Sequence, residues 1–429
     1  MSTVSLVSTD FKADYFLPEK GLSKDAVRQH IDRMIAMDPP ERSGLMSIYC
    51  NRGLEEGHEV MIEAFSKVYK KNNLVTVLMP GMKQIEEELL SMCANLLSGG
   101  EHGIVANITA GGSESIFCAI NTAREWAKAT RPQVAAPEFV TPYSAHAALN
   151  KAGHYLGVKI KRVPVGADYR SDMKAIKAAI GPNTIGLYAS APNWPYGTYD
   201  HVSEFGKLAL QNNLWLHVDA CVGGFVAPFV KKLGYQVPPW DFSVPGVTSI
   251  SADLHKFAYA MKPASVVAYR SLELQQKYHY VKVTEWPTIE YSSQSILGSR
   301  SAGPVAAAWA IMHFLGEEGY LRLARQMMEE KKRLAKGINA IGGLKVIDTE
   351  LTLLCYVSED EKLSIMEVVA GMEQRGWVHF GTLEPPMVQL VMEAKAEPYI
   401  DGYLKDLADV VTRIRQGERF GEGDLHYTR

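Results

Sequence analysis

The stretch VTSISADLHKFAYAMKPAS (residues 247–265) combines a short apolar run with an acid, a histidine and a lysine at its end. Its first residues have the β-branched and apolar character of a strand. His255 and Lys256 stand side by side where that strand ends, and a second lysine, Lys262, follows a short aromatic turn. A lysine after a strand is most often a surface residue, whereas a buried lysine is rare unless it has a task. The neighbouring stretches therefore have to be considered with it.

Those neighbours alternate between short apolar runs and amphipathic helical segments. The strand candidates between residues 100 and 270 are GIVANI, PEFVTP, KIKRVPV, TIGLYAS, LWLHVDA, VTSIS and SVVAYR. Helical patterns such as SIFCAINTAREWAKA, SAHAALNKAGHYLG, DMKAIKAAI and VSEFGKLALQNN lie between most of them. This alternation predicts βαβ units, and hence an α/β fold with a mostly parallel sheet between helices. Continuous apolar strands such as TIGLY indicate a sheet that is covered on both faces.

The chain is long enough for more than one domain. Residues 1–55 predict an N-terminal arm with a helix at LSKDAVRQHIDRMIAM (22–37), for which Ser23 is the expected N-cap. Residues 56–310 form the expected large domain. Residues 311–429 contain a long helical stretch followed by LKVIDT, LTLLCYV, the helix SIMEVVAGMEQRG and WVHFG. They predict a small C-terminal α+β domain.

Composition and charge exclude several classes of function. The chain is 47% hydrophobic and 22% charged, the balance of a soluble globular protein. A formal net charge of −3 provides no bulk attraction to nucleic acid or to a membrane surface. The first residues lack the pattern of a signal peptide, and the longest near-apolar helical run, VAAAWAIMHFL (305–315), is too short to cross a bilayer. We therefore expect a cytoplasmic protein without a membrane anchor.

The cysteine pattern favours neither disulfides nor a structural zinc. The five cysteines are Cys50, Cys93, Cys118, Cys221 and Cys355. They are scattered, odd in number and without CxxC spacing. Cys221 receives no role, because a free cysteine is most often a small buried hydrophobe.

An anion cradle is indicated at ANITAGGSESIF (residues 106–117). A strand ends there, Gly111 and Gly112 follow, and Ser113 and Glu114 open a helix. Free N–H groups at a helix start, beside glycines that allow close approach of the backbone, bind phosphate. The ordinary alternative is a glycine turn with a serine N-cap.

Two further candidates lie between the cradle and Lys256. Asp219 ends the apolar strand of LWLHVDACVGGF (214–225), and the carboxyl end of a parallel strand is where open α/β sheets bind ligands. A capping aspartate is the alternative for this position. His146 lies in TPYSAHAALNKA, where Ser144 could cap the next helix, and a lone histidine there is more often a packed or surface residue.

Taken together, these candidates describe one cofactor. Pyridoxal phosphate needs a lysine for its aldehyde, a carboxylate for its pyridine nitrogen, a cradle for its phosphate and a flat partner for its ring. The cradle, His146, Asp219 and Lys256 occur in that order on successive strand ends of the predicted sheet. A lysine whose pKa is lowered by burial or by a cationic neighbour can form a Schiff base with an aldehyde. His255 could then donate to the cofactor phosphate while Lys256 bonds the aldehyde.

Six stretches carry a resemblance to a known family. They are PGMKQIEEELLSMCANLL, TAGGSESI, PYSAHAALNKAGHYLGVKIKRVPV, LHVDACVGGFVAPF, GVTSISADLHKFAYAMKPAS and EWPTIEYSSQSILGSRSAG. The sequence resembles the group II pyridoxal-phosphate decarboxylases, a branch of the aspartate aminotransferase-like fold (fold type I). Within that branch it looks most like the sphingosine-1-phosphate lyases. The resemblance runs from residue 50 to residue 345 and continues more weakly to the end.

The resemblance implies a role for each matching position around the cofactor. Lys256 would form the Schiff base, Asp219 would pair with the pyridine nitrogen, and His146 would stack on the ring. The residues implied to hold the cofactor phosphate are Gly111, Gly112, Ser113 and His255.

The resemblance also implies roles in substrate binding and assembly. The lysine that matches Lys262 contacts the phosphate group of the substrate in the lyases, and His146 would help to bind that anionic group. Ser299, in LGSRSAG, would reach the cofactor phosphate from a partner subunit. The implied assembly is a homodimer with shared active sites, acting on a small amine or amino acid.

Three departures from the lyases fall in regions expected to face the substrate. Pro263 stands where the lyases usually have glycine, and proline removes a backbone N–H and fixes φ. NNLVTVLMPG (72–81) lacks the histidine and aspartate found in the lyases. Thr288–Ile289 stand where a pair of glycines follows the family tryptophan.

Four functions remain open on the sequence. The first is a retro-aldol carbon–carbon lyase that cleaves a phosphorylated 2-amino-3-hydroxy compound into an aldehyde and an amine phosphate. The second is an amino-acid α-decarboxylase, because the bond that breaks is the one held perpendicular to the cofactor ring. A metal hydrolase with His217, Asp219 and His255 as ligands would leave Lys256 and AGGSES unexplained. A catalytically inactive binding protein is the fourth.

Overall fold

The structure is a computed structural model. It describes residues 17–37, 54–288, 290–394, 398–423 and 425. Most of the predicted N-terminal arm, with Cys50, lies outside these ranges, as does Ile289. The helix predicted within the arm is confirmed as Lys24–Ile35, and Ser23 Oγ accepts a hydrogen bond from the Ala26 N–H, as expected of its N-cap.

The described residues form twelve α-helices and thirteen strands. The helices are α1 Lys24–Ile35, α2 His58–Val68, α3 Pro80–Leu97, α4 Gly112–Thr130, α5 Ala148–Leu156, α6 Met173–Ala179, α7 Val202–Asn212, α8 Ala227–Lys232, α9 Leu272–Leu274, α10 Gly303–Asn339, α11 Ile365–Glu373 and α12 Pro398–Arg415. The strands are β1 Val105–Thr109, β2 Glu138–Pro142, β3 Lys159–Val163, β4 Thr184–Ser190, β5 Trp215–Asp219, β6 Ser249–Ala252, β7 Ser265–Tyr269, β8 Val281–Val283, β9 Tyr291–Ser293, β10 Leu344–Ile347, β11 Leu353–Ser358, β12 Phe380–Leu383 and β13 Pro386–Val391.

A seven-stranded sheet in the order β1-β7-β6-β5-β4-β2-β3 forms the centre of the molecule. Strands β2 to β6 pair in parallel, and β7 runs antiparallel to both of its neighbours. All seven strand candidates are found, and the predicted α/β fold with a mostly parallel sheet is confirmed.

Helices cover both faces of this sheet. Strand β7 shows this in its pleat: Val266 and Ala268 join one buried cluster, while Val267 and Tyr269 join another. Successive side chains of a strand point to opposite faces. Because helices cover both faces, every residue of β4 is buried. Its sequence therefore does not alternate between apolar and polar residues.

A smaller antiparallel sheet, in the order β10-β11-β13-β12, forms the C-terminal part with α11 and α12. Helix α10 leads into it and bends at Gly316, where φ is 55° and ψ is −175°. The small α+β region was predicted, although β13 and α12 were not. The boundaries at residues 55 and 310 stay predictions, since α10 crosses the second of them. In the described part of the chain, no helix combines the length and apolarity needed to cross a membrane.

The topology brings several strand ends to one edge of the large sheet. Strand β1 ends at Thr109, just before the two glycines that lead into α4, and β5 ends at Asp219. Strand β6 ends at Ala252, directly before Asp253. Strand β7 is antiparallel to both β1 and β6, so β1 runs in the same direction as the parallel strands β5 and β6. The carboxyl ends of these three strands therefore lie at the same edge of the sheet.

Candidate active site

A cavity of about 790 Å³ opens at this edge of the sheet. The structure brings eight of the nine predicted site residues to its wall. They are Gly111, Gly112, Ser113, His146, Asp219, His255, Lys256 and Lys262. Ser299 is the exception, because it is not among the residues that line this cavity, and its Oγ accepts a hydrogen bond from Asn72 Nδ2 at 3.0 Å.

The start of α4 forms the predicted cradle. Gly111 has φ of 141°, a conformation that favours glycine, and no side chain caps the helix start. A Cβ at Gly112 would lie 2.9 Å from both Asp253 Oδ2 and Cys221 Sγ, so only glycine fits there. The helix is 19 residues long. Its free N–H groups and the positive end of its dipole can hold an anion in the cavity.

Asp219 is a buried carboxylate with three hydrogen-bond donors. The Tyr188 hydroxyl donates to Oδ2 at 2.7 Å, and the Cys221 N–H and the Ser251 hydroxyl donate to Oδ1 at 3.0 and 3.3 Å. Burial by itself raises the pKa of Asp219, but the nearby His146 and the hydrogen bonds outweigh burial and hold the pKa below its usual value. A buried, charged carboxylate can keep a ring nitrogen protonated.

His146 lies just before α5, and its Nδ1 accepts a hydrogen bond from the Ala148 N–H at 3.1 Å. Burial lowers the pKa of His146, and the charge of Asp219 opposes that effect only in part. The neutral ring therefore carries its proton on Nε2. A neutral, flat imidazole suits a stacking role better than a charged one would.

Lys256 contacts an acid that the sequence analysis did not select. Its Nζ lies 3.0 Å from Asp253 Oδ2, and Asp253 is only 3% exposed. The second oxygen of this carboxylate, Oδ1, is buried and has no hydrogen-bond partner. Asp253 stands three residues before Lys256 at the end of β6, the same kind of position as Asp219 at the end of β5. This similarity of position could have identified Asp253 from the sequence.

His255 is fixed by the loop that follows it. Its Nδ1 accepts a hydrogen bond from the Ala264 N–H at 3.2 Å, and its Nε2 lies 3.7 Å from Asp253 Oδ2. Burial lowers the pKa of His255, although Asp253 opposes this. With Nδ1 accepting, the proton of the neutral ring is on Nε2, which can donate into the cavity.

The metal-hydrolase alternative finds no ligand set in the described residues. His217 Nδ1 lies 2.8 Å from Ser249 Oγ and Nε2 lies 3.2 Å from Ser251 Oγ, so both ring nitrogens are engaged. Burial lowers the pKa of His217 to about 4. Over the residues that the structure describes, no group of three or more histidine, cysteine or acidic side chains is arranged to hold a metal.

The outer wall of the cavity is mostly apolar and was missed by the sequence analysis. Helix α5 contributes Ala148, Lys151, Ala152 and Tyr155, a spacing that places them on one face of the helix. The other wall residues include Ile116, Phe117, Trp194, Val222, Ile296 and Leu297. Cys221 also lines the cavity, and burial raises the pKa of its thiol well above its usual value.

Comparison with known proteins agrees with this geometry. A profile of the pyridoxal-dependent decarboxylase conserved domain matches residues 56–358. The chain belongs to this family. It is 39% identical over 410 residues to the sphingosine-1-phosphate lyase of Arabidopsis thaliana. The aligned region covers 93% of this chain and 74% of that protein.

Two further matches define its place in the family. The solved structure of a sphingosine-1-phosphate lyase from Burkholderia pseudomallei superposes with a TM-score of 0.88 at 31% identity, covering 95% of this chain and 94% of that chain. A probable L-tyrosine/L-aspartate decarboxylase of Methanothermobacter thermautotrophicus is 30% identical over 341 residues, which is 79% of this chain and 90% of that protein. The fold is therefore fold type I, as the resemblance implied.

The protein depends on pyridoxal phosphate, like the family to which it belongs. The residues present fit this cofactor. The cavity contains a glycine cradle at a helix start, a buried charged carboxylate and a lysine on adjacent strand ends. The protein is a pyridoxal-phosphate-dependent lyase.

Proposed function

We propose that the protein is a carbon–carbon lyase of the sphingosine-1-phosphate lyase type. It would cleave a phosphorylated 2-amino-3-hydroxy compound into an aldehyde and an amine phosphate. The observation that carries this proposal is the wall of the cavity, which contains Lys262 as well as Lys256 and continues into an apolar face. Such a wall suits an amphiphile with an anionic head. The similarity to proteins named sphingosine-1-phosphate lyase supports the same reaction.

We assign the cofactor contacts as the resemblance implies. Lys256 would bond the aldehyde, Asp219 would hold the protonated ring nitrogen and His146 would stack on the ring. The cofactor phosphate would be held by Gly111, Gly112, Ser113 and His255. Bound pyridoxal phosphate supplies an electron sink for a bond that breaks at the α-carbon of the substrate.

The protein decides which bond breaks by orienting the substrate. Lys262 binds the phosphate group and the wall of α5 binds the apolar part, so that the Cα–Cβ bond is the one held for cleavage. The hydroxyl on Cβ would give up its proton as that bond breaks, and its carbon would become the aldehyde. Cα would take up a proton in turn to complete the amine phosphate, so the cleavage needs no oxidant or reductant. An amino acid whose own carboxylate was oriented for cleavage would lose carbon dioxide instead. This decarboxylation is the second candidate function, and the similarity to the Methanothermobacter decarboxylase favours it.

A product assay on the enzyme loaded with pyridoxal phosphate tests the proposal. We expect sphingosine 1-phosphate to yield an aldehyde and an amine phosphate in equal amounts, because both come from one bond. A panel of amino acids should release no carbon dioxide. Carbon dioxide from an amino acid without aldehyde from the phosphate would select the decarboxylase. No product from any compound would favour an inactive binding protein.

We also propose that the active enzyme is a homodimer with shared sites. Ser299 does not line the cavity of its own chain, and its Oγ accepts a hydrogen bond from Asn72 instead. Its segment exposes apolar side chains, with Ile296 55% and Leu297 43% exposed. A smaller cavity of about 340 Å³ beside this segment, lined by Ala110 and Glu114 of the cradle, offers room for a partner's loop.

Complementation between two inactive variants tests the shared site. In a dimer of Lys256→Ala with Ser299→Asp, one site carries both changes and the other carries neither. Random mixing should therefore restore about one quarter of the wild-type activity, since half of the dimers are mixed and each has one intact site. Each variant alone is the control and should be inactive. Mixed dimers without activity would contradict a shared site.

A cytoplasmic location is a further proposal. Four cysteines, Cys93, Cys118, Cys221 and Cys355, are buried and unpaired in the described residues. Proteins with unpaired thiols are typical of reducing compartments. Fractionation of the native cells checks this, and recovery of the protein with secreted or membrane fractions would contradict it.

A further inference from the structure

We propose that Glu114 is a positioning residue that ties the loop of residues 294–300 to the phosphate cradle. Its two carboxylate oxygens accept hydrogen bonds from two distant parts of the chain. Oε2 accepts from the Ala110 N–H at 2.6 Å, and Oε1 accepts from the Ile296 N–H at 2.7 Å. One side chain thus joins the turn before α4 to a loop 182 residues further along the chain.

The chemistry of this link requires a carboxylate. Both partners are backbone N–H donors, so the side chain must offer an acceptor at each end. Glutamine has nearly the same shape, but its amide offers one acceptor and one NH₂ group, which would face a donor. Hydrogen bonds to a charged acceptor are also stronger than those to a neutral one.

The link has a consequence for the wall of the active-site cavity. Ile296 and Leu297 line that cavity, and Glu114 lies beside them on the wall. Glu114 also lines the smaller neighbouring cavity together with Ser295 and Arg300. Glu114, in the first turn of α4, therefore positions the loop that carries Ser299 against the cradle.

The loop has other attachments, but they lie at its two ends. At its start, Gln294 Oε1 accepts from Asn107 Nδ2 at 2.6 Å, and the Gln294 carbonyl lies 2.8 Å from His279 Nε2. At its end, the Arg300 N–H donates to Asn72 Oδ1 at 3.2 Å. Glu114 holds the segment between these attachments, where the wall residues lie.

A simpler role for Glu114 would be local. An acidic residue in the first turn of a helix interacts favourably with the helix dipole, and the bond to Ala110 fits that role. The bond to Ile296 does not, because it adds nothing to the helix. The two roles differ in which segment loosens when the carboxylate is removed.

Hydrogen exchange of the cofactor-free protein, followed by mass spectrometry, separates the two roles. We compare the wild type with Glu114→Gln and Glu114→Ala. Glu125→Gln is the matched control, because Glu125 lies on the same helix and bonds the side chains of Lys128 and Arg124. We expect peptides covering residues 291–300 to exchange roughly tenfold faster in both Glu114 variants, since a hydrogen bond to a charged group is worth at least that factor. Peptides of α4 should be unchanged.

Two results would overturn the proposal. Unchanged exchange of residues 291–300 in Glu114→Gln would show that the link does not hold the loop. Faster exchange in α4 without faster exchange in residues 291–300 would show a role in the helix alone. The exchange readout needs neither cofactor nor substrate, so it stands apart from the lyase assay.

The catalytic consequence rests on the proposed function. A loosened wall should weaken substrate binding more than it slows the chemical step, so Glu114→Gln should raise KM several-fold with a smaller loss in kcat. Glu125→Gln should leave both constants unchanged. If the lyase activity itself is absent, the exchange result still decides the position of the loop. A fall in kcat alone would contradict the positioning role.

Discussion

Replacement of Lys256 by alanine should remove both the covalent attachment of the cofactor and the activity. Lys256 lies on the wall of the cavity, which the cradle at the start of α4 also lines, and its Nζ contacts the buried Asp253 at the end of β6. Without its amine no Schiff base with the protein forms. We expect the long-wavelength absorbance of that Schiff base to disappear and turnover to fall by roughly three orders of magnitude or more, the scale seen when a residue that bonds the reacting group is lost.

Lys262→Ala is the matched control, because this second lysine lines the same cavity. It should keep the absorbance band, which depends on Lys256, and should raise KM for the phosphorylated substrate. Persistence of the band in Lys256→Ala would contradict the assignment of the Schiff-base lysine. Loss of the band in Lys262→Ala as well would show that the two lysines do not have separate roles.

The large sheet could be predicted from the sequence because its strands have an unusually plain pattern. TIGLYAS and LWLHVDA are continuous apolar runs between helical segments, and each is covered on both faces in the structure. The small domain was harder. Strand β13 contains Gln389, whose Nε2 donates to the Trp194 carbonyl across the boundary between the two sheets. That tertiary partner, which the sequence does not show, allows a polar residue to be buried there.

Helix α12 could have been found from its apolar spacing. Ile400, Tyr403, Leu407 and Val411 recur at three- and four-residue intervals, and all are buried. Gly402, within the same run, weakened the helical pattern, because glycine lowers helix propensity. Packing of the apolar face supplies the stability that propensity does not.

The site was predictable where its residues lie at strand ends. Asp219 and Lys256 could be placed together because parallel strands share an edge. Asp253 could have been selected as an acid at a strand end, like Asp219, although its contact with Lys256 is seen only in the structure. Tyr188 could not be assigned, because its importance lies in the carboxylate that it contacts. Glu114 was visible only as the acid that opens a helix, and its second partner is far away in the sequence.

Asp219→Asn is the second change with a large expected effect. It keeps the size of the side chain and removes its charge, so the cavity no longer holds a carboxylate opposite the ring nitrogen. We expect the absorbance band to remain, since Lys256 is intact, while kcat/KM falls roughly a hundredfold to a thousandfold, the range found when a preorganised electrostatic contact is removed. Tyr188→Phe should have a smaller effect, because it removes one donor to Asp219 and leaves the charge.

The pH dependence of stability tests the charge of Asp219 independently of activity. Its pKa in the folded protein is lowered, so the carboxylate binds a proton less readily than in the unfolded chain. The resulting stabilisation is present above the unfolded pKa and is lost as the pH falls through the folded value. Urea unfolding of the cofactor-free protein should therefore show a loss of stability in Asp219→Asn at pH 7 that shrinks in acid. A difference that is constant with pH, together with kcat/KM close to that of the wild type, would mean that Asp219 is not the charged partner of the ring.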